Sequence, residues 1–127
     1  MVILDTNIII DHLRLQGKQP SRLELLVSQF PDEDFGLSII SVQELFEGQS
    51  TKDPQKLAQL SATIKPLNVL DYSVKIAKQA GEIARDLTAP ISFADAAIAA
   101  TALEHKCKFA TLNTKHFAKI PGLILLK

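Results

Sequence analysis

Short apolar runs alternate along the chain with longer segments in which apolar residues recur at helical spacing. The short runs are rich in β-branched and aromatic residues and predict strands at 2–4, 35–38, 67–70, 109–112 and 123–126. The longer segments predict helices at 8–13, 21–30, 41–48, 55–64, 73–87 and 92–105. Because predicted strands alternate with predicted helices, we expect a parallel sheet that is covered on both faces.

Signals for helix starts and turns agree with this division of the chain. Ser21, followed by Glu24 three residues later, predicts a capping box at the start of the second helix. The segments 17–20 and 49–54 predict turns, and no repeat or low-complexity linker interrupts the chain. We therefore expect an α/β fold: a single three-layer domain over residues 1–127, with a central parallel twisted sheet of four to five strands flanked by helices.

The composition is that of an ordinary globular domain. Hydrophobic residues make up 46% of the 127 positions, enough for one core, and the apolar runs are far too short to cross a bilayer. We expect no secretory signal, because Asp5 and Asp11 interrupt the apolar start of the chain. Cys107 is the lone cysteine, so no internal disulfide can form. These features predict a cytoplasmic protein that is not bound to a membrane.

The charge balance gives no sign of a strongly basic protein, since 14 Lys and Arg match 14 Asp and Glu. This balance argues mildly against a nucleic-acid partner, although acids gathered in one site would leave the remaining surface more basic. The densest basic stretch contains Lys106, Lys108, Lys115 and Lys119. A solvated edge and an RNA-facing patch explain this stretch about equally well.

Three acids and one amide are placed where they can meet at one edge of the predicted sheet. Asp5 comes just after the first strand, Glu44 lies past the second, Asp95 opens the helix before the fourth, and Asn113 follows that strand. In a parallel sheet these positions share the carboxyl edge, where open α/β folds place their sites. Carboxylates suit hard cations such as Mg²⁺, and without a cation close carboxylates repel one another and raise a pKa. The cluster therefore predicts cation binding.

Helix capping offers a second explanation for each acid. Ser41 with Glu44, and Ser92 with Asp95, both have the spacing of a capping box. Asp5 is a favoured cap for the helix that follows it. Taken singly, each acid is as well explained by a cap as by a metal, and one side chain can serve both purposes.

Four segments together resemble the motifs of PIN-domain nucleases. VILDTN at 2–7 is similar to their opening, in which an apolar strand ends in Asp-Thr-Asn or Asp-Ser-Asn. SVQEL at 41–45 and ADAAIAATA at 94–102 are similar to the second and third motifs. TLNTKHF at 111–117, with IPGL shortly after it, is similar to the fourth. The order, the spacing and the coverage of the whole chain make the resemblance specific. Its detail resembles the VapC-type toxins of bacterial and archaeal toxin–antitoxin pairs.

The resemblance implies a metal-dependent endoribonuclease in which Asp5, Glu44 and Asp95 hold Mg²⁺ or Mn²⁺ against an RNA phosphodiester while water is the nucleophile. It also implies a homodimer, with two acidic sites facing one groove, and a small antitoxin protein that inserts a segment near the site. Four apolar residues are candidates for part of the antitoxin surface, although core packing is the simpler explanation for most of them: Ile39, Ile40, Leu45 and Phe46.

One position departs from the family pattern. The fourth family position is often Asp, and here it is Asn113, whose amide oxygen can bind a cation without adding charge. We therefore expect a second ion to bind weakly or only with RNA, which leaves one metal in the resting state. Thr6 and Thr111 are supporting candidates, whose hydroxyls would orient a carboxylate or a water or would serve as local cap and turn groups.

Other residues and functions are weaker candidates. The three histidines lack a metal-ligand spacing with Cys107, which is most simply a small core residue, and local packing explains His116 beside Phe117 better than a general base does. A catalytically weak PIN-fold module that binds RNA or protein stays open, with Asn113 as a sign of decay. A receiver-type phosphoacceptor would need paired early acids, and Asp5 has no acidic neighbour.

Overall fold

A computed structural model describes residues 1–15 and 17–126 of the chain. Five strands are present in this part of the chain: β1 Val2–Leu4, β2 Phe35–Ser38, β3 Asn68–Leu70, β4 Lys108–Ala110 and β5 Ile124–Leu125. The α-helices of the same residues are α1 Thr6–Leu15, α2 Arg22–Gln29, α3 Ile39–Glu47, α4 Pro54–Ile64, α5 Val74–Asp86, α6 Phe93–Glu104 and α7 Thr114–Phe117. A 3₁₀ turn, Gln49–Lys52, precedes α4.

The strands form a parallel sheet in the order β3-β2-β1-β4-β5. The central strand is β1, in which Ile3 pairs with Gly36 on one side and with Phe109 on the other. The chain builds outward from β1 to β3 and then returns past β1 to form β4 and β5. The carboxyl ends of β1 and β4 therefore flank the point where the winding reverses, and open α/β sheets form a crevice there. The predicted parallel α/β fold is confirmed.

Two apolar cores cover the two faces of the sheet, because successive side chains of a strand point to opposite faces. Ile3 and Phe109 pack in one core with residues of α5 and α6. Val2 and Leu4 pack in the other core with residues of α1 and α2. All three residues of β1 are fully buried, which is why the strand is a continuous apolar run. The predicted three-layer arrangement is confirmed.

Helix α6 is buried on nearly all sides. Every residue from Ala96 to Ala102 is buried, and most of them are alanines, whose small side chains let α6 pack closely against α5. Cys107, which follows this helix, is buried in the same core, as predicted. The buried body of α6 fixes the position of its first turn, which carries Asp95. Within the described residues, no helix combines the length and the apolar character needed to cross a membrane.

Two of the predicted boundaries are shifted by contacts of the segments that follow β1 and β4. The helix predicted at 8–13 extends over Thr6–Leu15, and its early start follows because the Asp5 carboxylate accepts a hydrogen bond from the first helical N–H. The strand predicted at 109–112 ends at Ala110, since Thr111 directs its hydroxyl to Asp5. Both shifts bring polar groups to the carboxyl edge of the sheet.

The start of the third helix was predicted at the wrong serine. The helix predicted at 41–48 begins at Ile39, and its N-cap is Ser38, whose hydroxyl accepts from the backbone N–H two residues on at 3.1 Å. Ser41 lies inside the helix and is fully buried. The capping box predicted for Ser41 and Glu44 is therefore wrong.

Other predicted helix starts are confirmed by their caps. Ser21 and Glu24 form a complete capping box at α2, and Ser92 caps α6 through its hydroxyl. The turn predicted at 49–54 instead contains the 3₁₀ turn, the capping residue Asp53 and the first residue of α4. Proline at the first helical position suits the fixed φ of its ring, which explains this early start.

The space around two glycines predicts opposite effects of replacing each with alanine. A Cβ built on Gly36 would lie 2.9 Å from the Asn68 carbonyl oxygen, so Gly36→Ala should lower the free energy of unfolding by about 1–3 kcal/mol. A Cβ on Gly81, in α5, meets nothing within 4 Å, so Gly81→Ala should raise it by about 0.5–1 kcal/mol. Urea unfolding measures both, and equal effects would contradict the packing described.

Candidate active site

The acids and the amide predicted from the sequence lie together at the carboxyl edge of the sheet. A cavity of about 230 Å³ is lined there by Asp5, Thr6, Asn7, Ile10, Glu44, Asp95, Asn113 and Phe117. A larger groove of about 850 Å³ lies between α2 and α4, but it contains none of the three predicted acids. We therefore place the candidate site by its chemistry rather than by the size of the cavity.

Asp5 is the most buried of the three acids, with 5% of its surface exposed. Its backbone N–H donates to the Ala110 carbonyl at 2.8 Å, which continues the pairing of β1 with β4. One carboxylate oxygen accepts from the N–H of Thr6 at 2.8 Å, and the other accepts from the Thr111 hydroxyl at 2.7 Å. The side chain thus caps α1 and also faces the cavity.

The environment of Asp5 disfavours its ionised form. Burial, helped by the nearby charges of Asp95 and Glu44, raises the pKa of Asp5 to about 6, although the hydrogen bonds from Thr111 and Thr6 act in the opposite direction. Desolvation and like charges both act in this direction because each penalises the carboxylate relative to the neutral acid.

Glu44 is held by a chain of hydroxyl groups. The Thr6 hydroxyl lies 2.7 Å from Glu44 Oε1 and 2.9 Å from the Ser41 hydroxyl. A carboxylate oxygen accepts, so the single Thr6 proton goes to Glu44 and Ser41 donates to Thr6. Sequence reasoning did not place Ser41 in the site, because its spacing from Glu44 is that of a capping box. No local pattern in the sequence indicates its contact with Thr6, which lies 35 positions earlier.

Asp95 and Asn113 complete the cavity with less burial. The N–H of Asp95 donates to its capping residue Ser92 at 3.1 Å, while the Asp95 carboxylate lies 3.0 Å from Nε2 of His116. Asn113 is exposed, and its N–H donates to the Thr111 hydroxyl at 3.0 Å. His116 was predicted to pack locally and does so against Phe117, but its contact with Asp95 was missed.

Asn7 connects the segments that follow β1 and β4. Its amide nitrogen donates to the Thr111 hydroxyl at 3.4 Å, and its amide oxygen accepts from the N–H of Leu112 at 3.3 Å. Sequence reasoning gave Asn7 no separate role, although its place directly after Asp5 and Thr6 was a signal that it belongs to the same edge.

The donor set fits a hard divalent cation. Carboxylate oxygens and an amide oxygen are suitable ligands for Mg²⁺ or Mn²⁺, and a cation would relieve the desolvation and repulsion that act on Asp5. The side chains are not convergent: among the described residues, no three His, Cys, Asp or Glu side chains are grouped to hold one ion. Glu44 is turned towards Thr6 and Asp95 towards His116. Joint ligation by all three acids therefore requires the carboxylates to move closer together.

The predicted basic stretch divides between two edges of the sheet. Lys108 begins β4 at the amino edge, where its ammonium group pairs with Glu33 at 3.0 Å. Lys115 and Lys119 instead line a cavity of about 360 Å³ that shares Asn113 with the candidate site. The basic groups that adjoin the acids are therefore the last two of the stretch.

The four apolar residues of α3 that were candidates for the antitoxin surface differ in burial. Leu45 is 7% exposed and packs in the core, and Ile40 packs against the core while partly buried. Ile39 and Phe46 are 41% and 46% exposed, so only these two present large apolar surface to solvent.

Comparisons with known proteins agree on the fold. The family model of the PIN domain matches residues 2–123. Ribonuclease VapC2 of Rickettsia felis is 31% identical over 132 aligned positions, which cover 97% of this chain and 94% of that protein. The crystal structure of VapBC2 from Rickettsia felis bound to a DNA fragment from their promoter has a TM-score of 0.84 at 26% identity and covers 99% of this chain and 98% of that one. A toxin–antitoxin complex from Klebsiella pneumoniae has a TM-score of 0.76 at 26% identity, with 100% and 97% covered.

The raised pKa of Asp5 predicts a distinctive pH dependence in EDTA. Between about pH 4 and pH 6 the unfolded chain loses this proton while the folded chain keeps it, so the group lowers stability as pH rises, by about 3 kcal/mol once above pH 6. Asp5→Asn removes this contribution. The unfolding free energy of the variant minus that of the wild type should therefore increase by about that amount from pH 4 to pH 7. If the unfolding free energies of the two proteins changed in parallel with pH, the raised pKa would not belong to Asp5.

Proposed function

We propose a function from one premise: this chain belongs to the PIN domain family. It is a metal-dependent endoribonuclease that hydrolyses RNA phosphodiester bonds, and it is the toxin of a type II toxin–antitoxin pair. The observation that carries the proposal is that Asp5, Glu44 and Asp95 line one cavity at the reversal point of the sheet. The likeness to a protein named ribonuclease VapC2 and to a toxin–antitoxin complex supports it.

The three acids would hold Mg²⁺ or Mn²⁺, and their neighbours decide which carboxylate oxygens stay available. When bound, such an ion lowers the pKa of a coordinated water and offsets charge on the phosphodiester. The Thr111 hydroxyl and the Thr6 N–H each bind one oxygen of Asp5, and the Thr6 hydroxyl binds one oxygen of Glu44. These bonds orient the two carboxylates. Water, rather than a side chain, is the nucleophile for in-line attack.

Asn113 sets the number of ions in this proposal. It contributes an amide oxygen and no charge at the position where the family often has Asp, so the resting site carries three acids. We propose one resting metal, with a second held weakly or only when RNA supplies phosphate oxygens. Lys115 and Lys119, beside Asn113, are the basic groups best placed to meet the RNA backbone.

The partner proposals concern surfaces near the same edge. A small antitoxin protein would insert a segment near the acids, and exposed Ile39 and Phe46 would supply part of its apolar contact. A cavity of about 380 Å³ between α1, α3 and α4 shares Ile10 and Glu44 with the candidate site, which supports docking there. We also propose a homodimer with two sites facing one groove, and a cytoplasmic location, where an RNA substrate is accessible.

A binding module without turnover is the alternative. Burying Asp5 against two other acids is unfavourable for the metal-free fold, and a scaffold that only binds RNA or protein has no need of it. The nuclease proposal accounts for that arrangement, whereas the alternative leaves it unexplained.

Purified antitoxin-free protein should cleave structured RNA in Mg²⁺ or Mn²⁺ and stop in EDTA. Asp5→Asn and Asp95→Asn should each lower the cleavage rate by about 100-fold or more, because each removes a charged ligand. Asp32→Asn is the matched control, since it removes an exposed carboxylate from the turn before β2. Analysis of the RNA fragments on a broad substrate panel measures the cleavage rate of the wild type and of the three variants. No metal-dependent cleavage on any substrate would favour the binding module.

Metal binding should also raise the melting temperature. At ten times its dissociation constant, Mg²⁺ should add about 1.4 kcal/mol, or about 3–6 °C for a domain of this size. Asp5→Asn should lose most of this shift, while the Asp32→Asn control should keep it. Asparagine is also a good helix cap, so a pure capping role for Asp5 predicts equal shifts in both variants. Equal shifts would remove Asp5 from the metal site.

A further inference from the structure

His116 contacts an acid of the candidate site from a separate element. Its Nε2 lies 3.0 Å from Oδ2 of Asp95, which is 21 positions earlier in the chain. A carboxylate oxygen accepts, so the ring nitrogen carries the proton and donates. The two side chains are 31% and 29% exposed, which keeps the contact partly sheltered from water. Helix α7 is thereby joined to the first turn of α6.

The imidazole ring is oriented by the core. It packs edge-on to the Phe117 ring, with centroids 5.2 Å apart and an interplanar angle of 86°. Phe117 is 1% exposed and packs in turn against Phe109 of β4 at 4.9 Å. Packing of the imidazole against the buried Phe117 ring therefore sets the direction of the Nε2–H group.

Capping does not explain where the Asp95 carboxylate points. A complete capping box would return this carboxylate to the N–H of Ser92. Only the first half is present among the described residues, because the Ser92 hydroxyl accepts from the Asp95 N–H and the carboxylate turns to His116. The second oxygen of Asp95, Oδ1, has no hydrogen-bond partner among the described residues.

We propose that His116 is a positioning residue for the cation site: it holds Oδ2 of Asp95 and leaves Oδ1 available to the metal. The inference rests on the proposed metal-dependent function and gives His116 a role that the family resemblance did not assign to it. Hydrogen-bonded partners of metal ligands commonly change metal affinity by about 10- to 100-fold when they are removed. His116 should therefore affect cation binding without being a ligand itself.

Three substitutions separate the hydrogen bond from the packing. His116→Gln keeps an N–H donor as many bonds from the backbone as Nε2, but it loses the ring. His116→Phe keeps the ring against Phe117 and loses the donor. His116→Asn carries a donor that is too short to reach Asp95. Water proton relaxation gives the Mn²⁺ dissociation constant of each folded protein, and melting temperatures in EDTA report folding separately.

The Phe and Asn variants should bind Mn²⁺ about 10-fold more weakly, and Gln should bind close to the wild-type value. The effect should vanish in an Asp95→Asn background, where the positioned carboxylate is gone. Retention by Phe with loss by Gln would show a packing role and overturn the proposal. A much larger loss for Ni²⁺ than for Mg²⁺ would indicate direct ligation by nitrogen and would also overturn it. Unchanged Mn²⁺ affinity in all variants refutes only the positioning role, whereas no Mn²⁺ binding by the wild type refutes the metal site as well.

Discussion

A buried carboxylate at the end of the central strand requires hydrogen-bond partners, and the elements around Asp5 supply them. Asp5 is 5% exposed, so each oxygen that water cannot reach has to accept from the protein. One oxygen accepts from the start of α1 and the other from Thr111 after β4. The first donor is the next residue in the chain, and the second lies at this point because β4 pairs directly with β1. The strand order is thus what makes a buried acid tolerable there.

The other acids extend the same arrangement to the remaining layers. Glu44 joins α3 to the start of α1 through Thr6, and Asp95 joins α6 to α7 through His116. Each carboxylate has one oxygen held by a side chain from another element, which limits its rotation. The arrangement leaves Asp5 with a raised pKa and hence a metal-free fold that is less stable than its packing allows. A cation bound at this site would restore the stability that the metal-free fold lacks.

The sequence could predict the layers and the edge at which the polar residues meet, because both follow from local periodicity and from the parallel direction of the strands. It could not choose between Ser38 and Ser41 as a helix start, since either serine has suitable neighbours and the choice depends on the contact of Ser41 with Thr6. The hydrogen bond between His116 and Asp95 could not be predicted from the sequence either. It arises from the packing of α7 on β4, which no spacing in the chain encodes.

The two explanations for the acids, caps and metal ligands, are separated by how each side chain is used. Asp5 caps α1, so capping alone would account for its presence. Glu44 caps nothing, because its helix begins five residues earlier at Ile39. The Asp95 carboxylate leaves the capping box half formed and turns to the cavity edge. Helix capping therefore explains one of three carboxylates that share a cavity, whereas the proposed cation would account for all three.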